Sequence, residues 1–199
     1  MALAQKIARL TEAEYLRLER AAEFRSEFFD GEMFAMAGGT RAHSLISINI
    51  GGELRTKLAG KPCVVYNADL RVKSEATGLY TYPDVSVVCG EQRFLDEEED
   101  TLLNPTLVVE VLSESTEAYD RGKKFEHYRQ IPSLREYLLV SQHEARIEKF
   151  TRQKDGTWTL KEAVGMDAVI QLASIGETMA LSEVFAKVQF LPGGLRTKK

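Results

Sequence analysis

The chain has 199 residues, of which 44% are hydrophobic and 28% are charged, a profile typical of one globular domain. Its apolar runs are much shorter than the roughly 18 residues that a membrane-spanning helix requires, and its start lacks the apolar segment of a secretory signal. A net charge of −4 does not by itself indicate a nucleic-acid binder, and we expect a cytoplasmic protein that does not contact membranes.

The first half of the chain predicts a helix, a hairpin, a second helix and then strands. Thr11, followed by acidic residues and leucines, indicates a capped helix over about 11–20. Asp30-Gly31 supplies the positive φ angles of a tight turn, which predicts a β-hairpin over 26–34. Apolar residues at helical spacing predict the second helix over 43–58. Three strands are expected next, over 63–66, 69–73 and 84–89.

The second half predicts a central strand, a helix and further strands. The nearly continuous apolar run Thr106 to Leu112 is typical of a central strand. Ser113 to Thr116 can cap a helix that runs to about Ile131, which Pro132 helps to stop. The remaining elements are strands over 135–140, 146–152 and 157–163, the last two joined by an Asp155-Gly156 turn, and a terminal helix over 181–186.

These elements predict a single α/β domain, 1–199, with a mixed β-sheet flanked by helices. An N-terminal and a C-terminal β-hairpin complete it, with a core over about 24–187 and a flexible tail over 188–199. Trp158 and Tyr137 are expected to be core or sheet-face aromatics, not platforms for base stacking.

Charged residues and cysteines allow only weak inferences. The acidic run Asp96 to Asp100 is most simply a solvated loop. The segment 121–154 holds nine Lys and Arg against four Asp and Glu, so it could face phosphates, but a solvated helix and hairpin explain it equally well. Cys63 and Cys89 are expected to be buried free thiols, and without metal-ligand spacing they do not indicate a zinc site.

Two carboxylates stand where packing alone would not place them. Glu110 interrupts the central apolar strand, and Asp84 opens the strand that follows Pro83. A buried carboxylate needs a cation, a hydrogen-bond network or a metal, and either acid alone is more often structural than catalytic. If the two strands are neighbours, both acids face one crevice and suit Mg²⁺, with the backbone carbonyl of Val111 completing the ligand set.

A cation beside these acids would complete a hydrolytic site. Lys124 lies four residues after Asp120, so on a helix the two side chains share a face. Either the two residues form an exposed ion pair, worth only tenths of a kcal/mol, or Lys124 is the cation that the site needs.

The chain resembles the bacterial putative restriction endonuclease family Uma-two. This family is a branch of the PD-(D/E)xK nuclease superfamily, which has a restriction-endonuclease-like fold. The resemblance covers about Tyr15 to Phe185 and depends on an ordered combination of motifs. These are Phe28-Phe29-Asp30-Gly31-Glu32, His43 at the start of a helix, Tyr82-Pro83-Asp84-Val85, Leu107 to Thr116, Asp120-Arg121-Gly122-Lys123-Lys124, Pro132 to Val140 and Leu181 to Phe185.

The resemblance implies Mg²⁺- or Mn²⁺-dependent cleavage of DNA, with Asp84 and Glu110 as metal ligands. The superfamily lysine is expected two residues after the glutamate, where this chain has Leu112. Lys124 is the position that takes over in this family, and Lys123 is the fallback because Gly122 leaves the helical phase open. A second departure is Glu114, where the family usually has proline; its negative charge slightly weakens the case for phosphate binding there.

Three further residues have two interpretations each. His43 could contact a phosphate or help to position Asp84, or be a polar surface residue. Glu27 and Glu32 flank the hairpin turn; either could approach the metal, but an exposed hairpin edge is the expected place for both.

Three functions compete. The first is a metal-dependent DNA endonuclease, and the second is a nuclease fold kept as a DNA- or protein-binding module, which Leu112 and the acidic net charge favour. The third is hydrolysis of small phosphate esters. A homodimer is a further expectation, because each strand of a duplex needs its own site; Val64-Val65-Tyr66 or the C-terminal hairpin could pair across a two-fold axis.

Overall fold

A computed structural model describes residues 9–36 and 38–190. Most of the tail expected to be flexible, from 191 onward, lies outside the described residues. Of the part before it, Val188 and Phe190 pack against the main core.

The N-terminal elements form as their sequence predicts. Helix α1 (Glu12–Ala21) begins with a capping box, in which Thr11 and Glu14 exchange side-chain to backbone hydrogen bonds. Strands β1 (Ser26–Phe29) and β2 (Glu32–Ala35) pair as an antiparallel hairpin. Asp30 and Gly31 have φ angles of 49° and 81°, the left-handed geometry that this tight turn requires.

The rest of the chain alternates strands and helices. The middle elements are α2 (Arg41–Lys57), β3 (Cys63–Asn67), β4 (Arg71–Ser74), β5 (Leu79–Thr81), β6 (Val85–Cys89), β7 (Thr101–Leu102) and β8 (Leu107–Val111). The later elements are α3 (Glu117–Tyr119), a π-helical turn (Asp120–Lys124), α4 (Phe125–Tyr128), β9 (Glu136–Val140), β10 (Arg146–Arg152), β11 (Trp158–Val164), β12 (Val169–Leu172), β13 (Glu177–Ala180) and α5 (Leu181–Val184). The short strands β5, β7, β12 and β13 were not predicted.

The predicted mixed sheet is the six-stranded sheet, in the order β11-β10-β9-β8-β6-β3. Strands β8 and β9 are parallel, and the other neighbours are antiparallel. A second sheet, β2-β1-β5-β4-β7, joins the N-terminal hairpin to β5 and β4, which precede Asp84, and to β7, which follows it; β12 and β13 form a separate pair. This second sheet brings the hairpin beside the central strand.

Strand β8 is buried on both faces, which explains its apolar sequence. Leu107, Val109 and Val111 enter the core cluster that contains α2, whereas Val108 enters the cluster that contains α4 and β9. Since side chains alternate along a strand, Glu110 lies on the same face as Val108. No helix within the described ranges is long and apolar enough to cross a bilayer.

The expectation of free thiols was wrong. Cys63 and Cys89 occupy paired positions on β3 and β6 and form a disulfide. The acidic run is an exposed loop, as expected, and Asp100 at its end pairs with both Arg20 and the buried Arg71. Burial alone would raise the pKa of Asp100, but these two guanidinium groups outweigh it and lower that pKa.

Candidate active site

Asp84 and Glu110 lie on adjacent antiparallel strands at the same level of the sheet. Val85 pairs with Val109, so Asp84, one residue before β6, is opposite Glu110. Side chains at directly opposite positions point to the same face. The Asp84 carboxylate is held there, because the backbone N–H of Val111 donates to its Oδ2 atom at 2.7 Å. The sequence therefore brings the two predicted acids together through strand register.

Glu110 is buried, and one of its oxygen atoms receives two donors. Its exposed fraction is 4%. The Lys124 ammonium lies 2.9 Å from Oε1, and the Tyr128 hydroxyl donates to the same atom at 2.8 Å. Tyr128 is fully buried and was not singled out in the sequence, because tyrosine at helical spacing is a normal core residue.

Lys124 is shared by three carboxylates. Its Nζ atom lies 2.9 Å from Glu27 Oε1, 2.9 Å from Glu110 Oε1 and 3.5 Å from Asp120 Oδ1. The side chain of Lys123, by contrast, is 74% exposed and pairs with Glu126. Of the two lysines that the sequence left open, the structure brings only Lys124 to the acids.

The π-helical turn determines which lysine enters the cluster. Asp120 and Lys124 are the two buried residues of this turn, which directly follows α3 and continues into α4. The wider turn accommodates Gly122 within one continuous helix, and such turns are frequent at functional sites. It resolves the uncertainty in helical phase that Gly122 causes in the sequence.

The cluster carries an excess of negative charge. Burial raises the pKa of Glu110 well above its usual value; Lys124 opposes this shift, and the carboxylates of Asp120, Asp84 and Glu27 reinforce it. Burial also raises the pKa of Asp120. For Lys124 burial favours the neutral amine, but its three carboxylate partners outweigh it and raise its pKa.

His43 contacts Asp84 from the first turn of α2. Its Nε2 atom lies 3.2 Å from Asp84 Oδ1. Thr40 caps the helix by accepting from the His43 backbone N–H, and a Cβ at Gly39 would meet the imidazole at 2.9 Å. Burial favours the neutral ring, but Asp84 outweighs it and raises the pKa of His43. The histidine is therefore placed to orient Asp84.

Glu27 is the site residue whose position was predicted wrongly. It does not lie on an exposed hairpin edge: its side chain is 12% exposed and contacts Lys124 and the Thr81 hydroxyl. The reason is the pairing of β1 with the unpredicted strand β5, which turns this face of the hairpin inward. Glu32 is exposed, as expected.

The carboxylates of the site are the kind of ligand that a hard divalent cation takes from a protein, usually one or two at a time. Within residues 9–36 and 38–190, no group of three or more His, Cys, Asp or Glu side chains could hold a metal ion. Asp84 and Glu110 supply two carboxylates at one level of the sheet, and Mg²⁺ prefers one or two carboxylates as protein ligands. Three carboxylates around the Lys124 ammonium, with Asp84 beside His43, leave negative charge for such a cation to neutralise.

The comparisons with known proteins agree with this architecture. A putative nuclease of DUF820 from Anabaena variabilis has a solved structure with a TM-score of 0.71, which covers 88% of this chain and 97% of that one at 19% identity. Two uncharacterised proteins of Synechocystis sp. are 38% identical over 183 residues and 36% identical over 164 residues. The alignments span 92% and 82% of this chain, and 94% and 93% of the relatives.

The mixed sheet, with two acids at one level of neighbouring strands, defines the class of the protein as a nuclease-like α/β fold. The chain belongs to the Uma2 family, described as "Putative restriction endonuclease", whose model matches residues 12–183. This confirms the family resemblance and the restriction-endonuclease-like fold that the sequence motifs predict.

Proposed function

We propose that this protein is a metal-dependent endonuclease that hydrolyses phosphodiester bonds of DNA. The observation that carries the proposal is the arrangement of Asp84, Glu110 and Lys124: two acids at one level of adjacent strands and a buried ammonium 2.9 Å from the second acid. Membership of the family described as "Putative restriction endonuclease" supports a nucleic-acid substrate.

Asp84, Glu110 and the Val111 carbonyl would hold Mg²⁺ or Mn²⁺. When bound, the cation would neutralise charge on the scissile phosphate and make water more acidic. In Asp84, Oδ2 is fixed by the Val111 N–H and Oδ1 lies beside His43, so the carboxylate is oriented before any ligand arrives.

Lys124 would orient the attacking water and stabilise the charge that develops on the phosphate. Glu27 and Asp120 hold its ammonium from two sides, which fixes the flexible side chain. His43 would act on the reaction through Asp84 and would also offer a hydrogen bond to a phosphate oxygen.

Plasmid nicking tests the proposal. Wild-type protein should nick supercoiled DNA with Mg²⁺ or Mn²⁺ and lose that activity in EDTA. Asp84→Ala should abolish nicking, whereas Asp167→Ala, which removes an exposed aspartate, should retain it. Equal nicking by Asp84→Ala and wild-type protein would assign the activity to another site or to a contaminant.

A non-catalytic DNA- or protein-binding module is the second candidate. The observation in favour of this candidate is that three carboxylates already neutralise the charge of Lys124. A buried lysine with a purely structural role would need the same neutralisation. This candidate predicts salt-sensitive DNA binding that needs no metal. DNA binding that depends on Mg²⁺ and disappears in Glu110→Ala would contradict it. Turnover of a chromogenic phosphodiester without cleavage of DNA would instead indicate a small phosphate ester as substrate.

We also propose that the active form is a homodimer. Strands β3 and β11 are the two edges of the six-stranded sheet, and Val64 on β3 is 39% exposed. An unpaired sheet edge offers backbone groups to a second copy. Sedimentation equilibrium of the wild-type protein and Val64→Lys tests this arrangement; a monomer at all concentrations would contradict it.

A further inference from the structure

A cleft of about 540 Å³ lies outside the acid cluster, between the end of α4 and the hairpin of β10 and β11. Its walls combine aromatic rings with arginines: Phe125, Arg129, Gln130, Phe150, Arg152, Gly156, Thr157 and Trp158. Among the described residues, none of those that line it is acidic. This composition distinguishes the cleft from the acidic site that contains Glu110.

The rings form one aromatic group. Phe125 stacks on Tyr137 with centroids 5.2 Å apart, and it contacts Phe150 at 4.5 Å and Trp158 at 5.3 Å. Tyr137 is fully buried, as expected from the sequence, but Trp158 is only half-buried and lines the cleft. An exposed aromatic edge of this kind can stack on an unpaired base.

Within residues 9–36 and 38–190, Arg152 forms no ion pair with a carboxylate. Its guanidinium donates to the backbone carbonyls of Arg129 and Ile131 and lies 4.8 Å from the centre of the Trp158 ring. Its Nε atom is buried without a hydrogen-bond partner among the described residues. Burial and the neighbouring Arg135 lower the pKa of Arg152, since a second cation disfavours its charge. An incoming anion would relieve this repulsion.

The nearby acids do not neutralise the cleft. The Asp155 carboxylate is turned back to the N–H and hydroxyl of Thr157. Glu126, on the adjoining helix, pairs with Lys123. Arg129 is exposed, and its guanidinium lies 5.8 Å from the centre of the Phe125 ring. The positive charge of this surface therefore remains available in a chain whose net charge is −4.

We propose that this cleft binds an unpaired nucleotide segment of the nucleic-acid substrate, with a base on Trp158 and phosphates on Arg129 and Arg152. The choice of nucleic acid as ligand rests on the proposed nuclease function. Lys124 in the acid cluster ends the π-helical turn, and Arg129 in the cleft is the C-cap of the helix α4 that follows it. A strand that continues past the scissile bond around this helix would reach the cleft, which would then select substrates with a flap, a gap or a single-stranded stretch beside that bond.

Trp158 is the only tryptophan in the chain, so its fluorescence reports directly on the cleft. Full-length protein in EDTA, where cleavage cannot proceed, is titrated with a single-stranded oligodeoxynucleotide, with the matching duplex and with inorganic polyphosphate. The expected result is saturable quenching by the single strand and weaker quenching by the duplex, whose bases are already stacked. Equal quenching by polyphosphate would overturn the base-stacking role, and no quenching by any nucleic acid would overturn the proposal.

Arg129→Ala should weaken binding of the single strand about tenfold, the scale of one lost contact to a stacked and charged nucleotide. Arg55→Ala, which removes an exposed arginine on α2, is the matched control and should change affinity less than about twofold, by loss of general attraction alone. Equal weakening by both variants would contradict a specific cleft. Both variants should keep the melting temperature of the wild type, since both side chains are exposed.

Asp84→Ala separates this proposal from the proposed function. The variant should still show saturable quenching by the single strand in EDTA, because the cleft does not include Asp84. If the wild type binds the single strand but shows no nicking activity, the proposed nuclease function is refuted and the proposed nucleotide binding in the cleft stands. If it nicks DNA but shows no quenching, the binding in the cleft is refuted and the nuclease function stands.

Discussion

Replacing Lys124 by methionine tests whether the buried ammonium stabilises the cluster of acids. Methionine keeps much of the side-chain length but leaves Glu27, Glu110 and Asp120 without their shared cation. Removing one partner of a buried ion pair costs about 3–5 kcal/mol. For a domain of this size, each kcal/mol lowers the melting temperature by about 2–4 °C, so we expect a fall of roughly 6–20 °C at neutral pH.

Lys123→Met is the matched control, because it makes the same change one residue earlier. Lys123 is exposed and its pair with Glu126 contributes at most about 1 kcal/mol. Differential scanning calorimetry at neutral pH should therefore separate the two variants clearly. Only Lys124→Met should abolish plasmid nicking. Equal melting temperatures for the two variants would refute the assignment of Lys124 to the buried cluster.

The loss of stability that Lys124→Met causes should depend on pH, and it should grow as the pH rises. Without the ammonium, the buried carboxylates have pKa values above those of the unfolded chain, so folding takes up protons. Stability is then lost as the pH rises from the unfolded carboxyl pKa through the raised folded pKa, and it is recovered on acidification. The difference from wild type should shrink toward pH 4, near the usual pKa of carboxyl groups. A difference that grows on acidification would contradict this reasoning.

Three further predictions concern single contacts. Tyr128→Phe removes the hydroxyl that donates to Glu110, so urea unfolding should show a loss of about 1–2 kcal/mol; an unchanged midpoint would contradict the hydrogen bond. Asp100→Asn should destabilise the protein at neutral pH by about 1–2 kcal/mol. This deficit should shrink progressively as the pH falls from the usual value of 3.8 toward the lowered pKa of Asp100, because the arginines stabilise only the ionised form; a constant deficit would refute the ion pair. Alkylation without reductant should label neither Cys63 nor Cys89, and reduction should lower stability by about 3 kcal/mol through release of the loop; labelling of the unreduced protein would contradict the disulfide.

The acids of β6 and β8 could be predicted because strand patterns carry the necessary information. A carboxylate within the apolar run of β8 must have a partner, and Pro83 marks the start of β6. Neighbouring strands then bring Asp84 and Glu110 together without any knowledge of the loops. Local periodicity was sufficient for this part of the candidate site.

Glu27 and the disulfide could not be predicted because they depend on tertiary contacts between distant segments. The inward face of β1 is determined by its pairing with β5, a strand of three residues that has no clear pattern of its own. Cys63 and Cys89 approach only through the register of β3 and β6, which is not fixed by a turn between them. The choice of Lys124 over Lys123 similarly required the π-helical turn.

The π-helical turn Asp120–Lys124 makes the site sensitive to the number of residues as well as to their identity. Deleting Gly122 would leave Lys124 three residues after Asp120 instead of four, which changes the position of its side chain along the axis and its direction. Lys124 would then leave Glu110, although no reactive residue had been lost. If the proposed function is right, the loss of one codon would therefore inactivate the protein while every proposed site residue is retained. For relatives of this protein, the spacing between the glutamate and the lysine is thus a better marker of a working site than the presence of both residues.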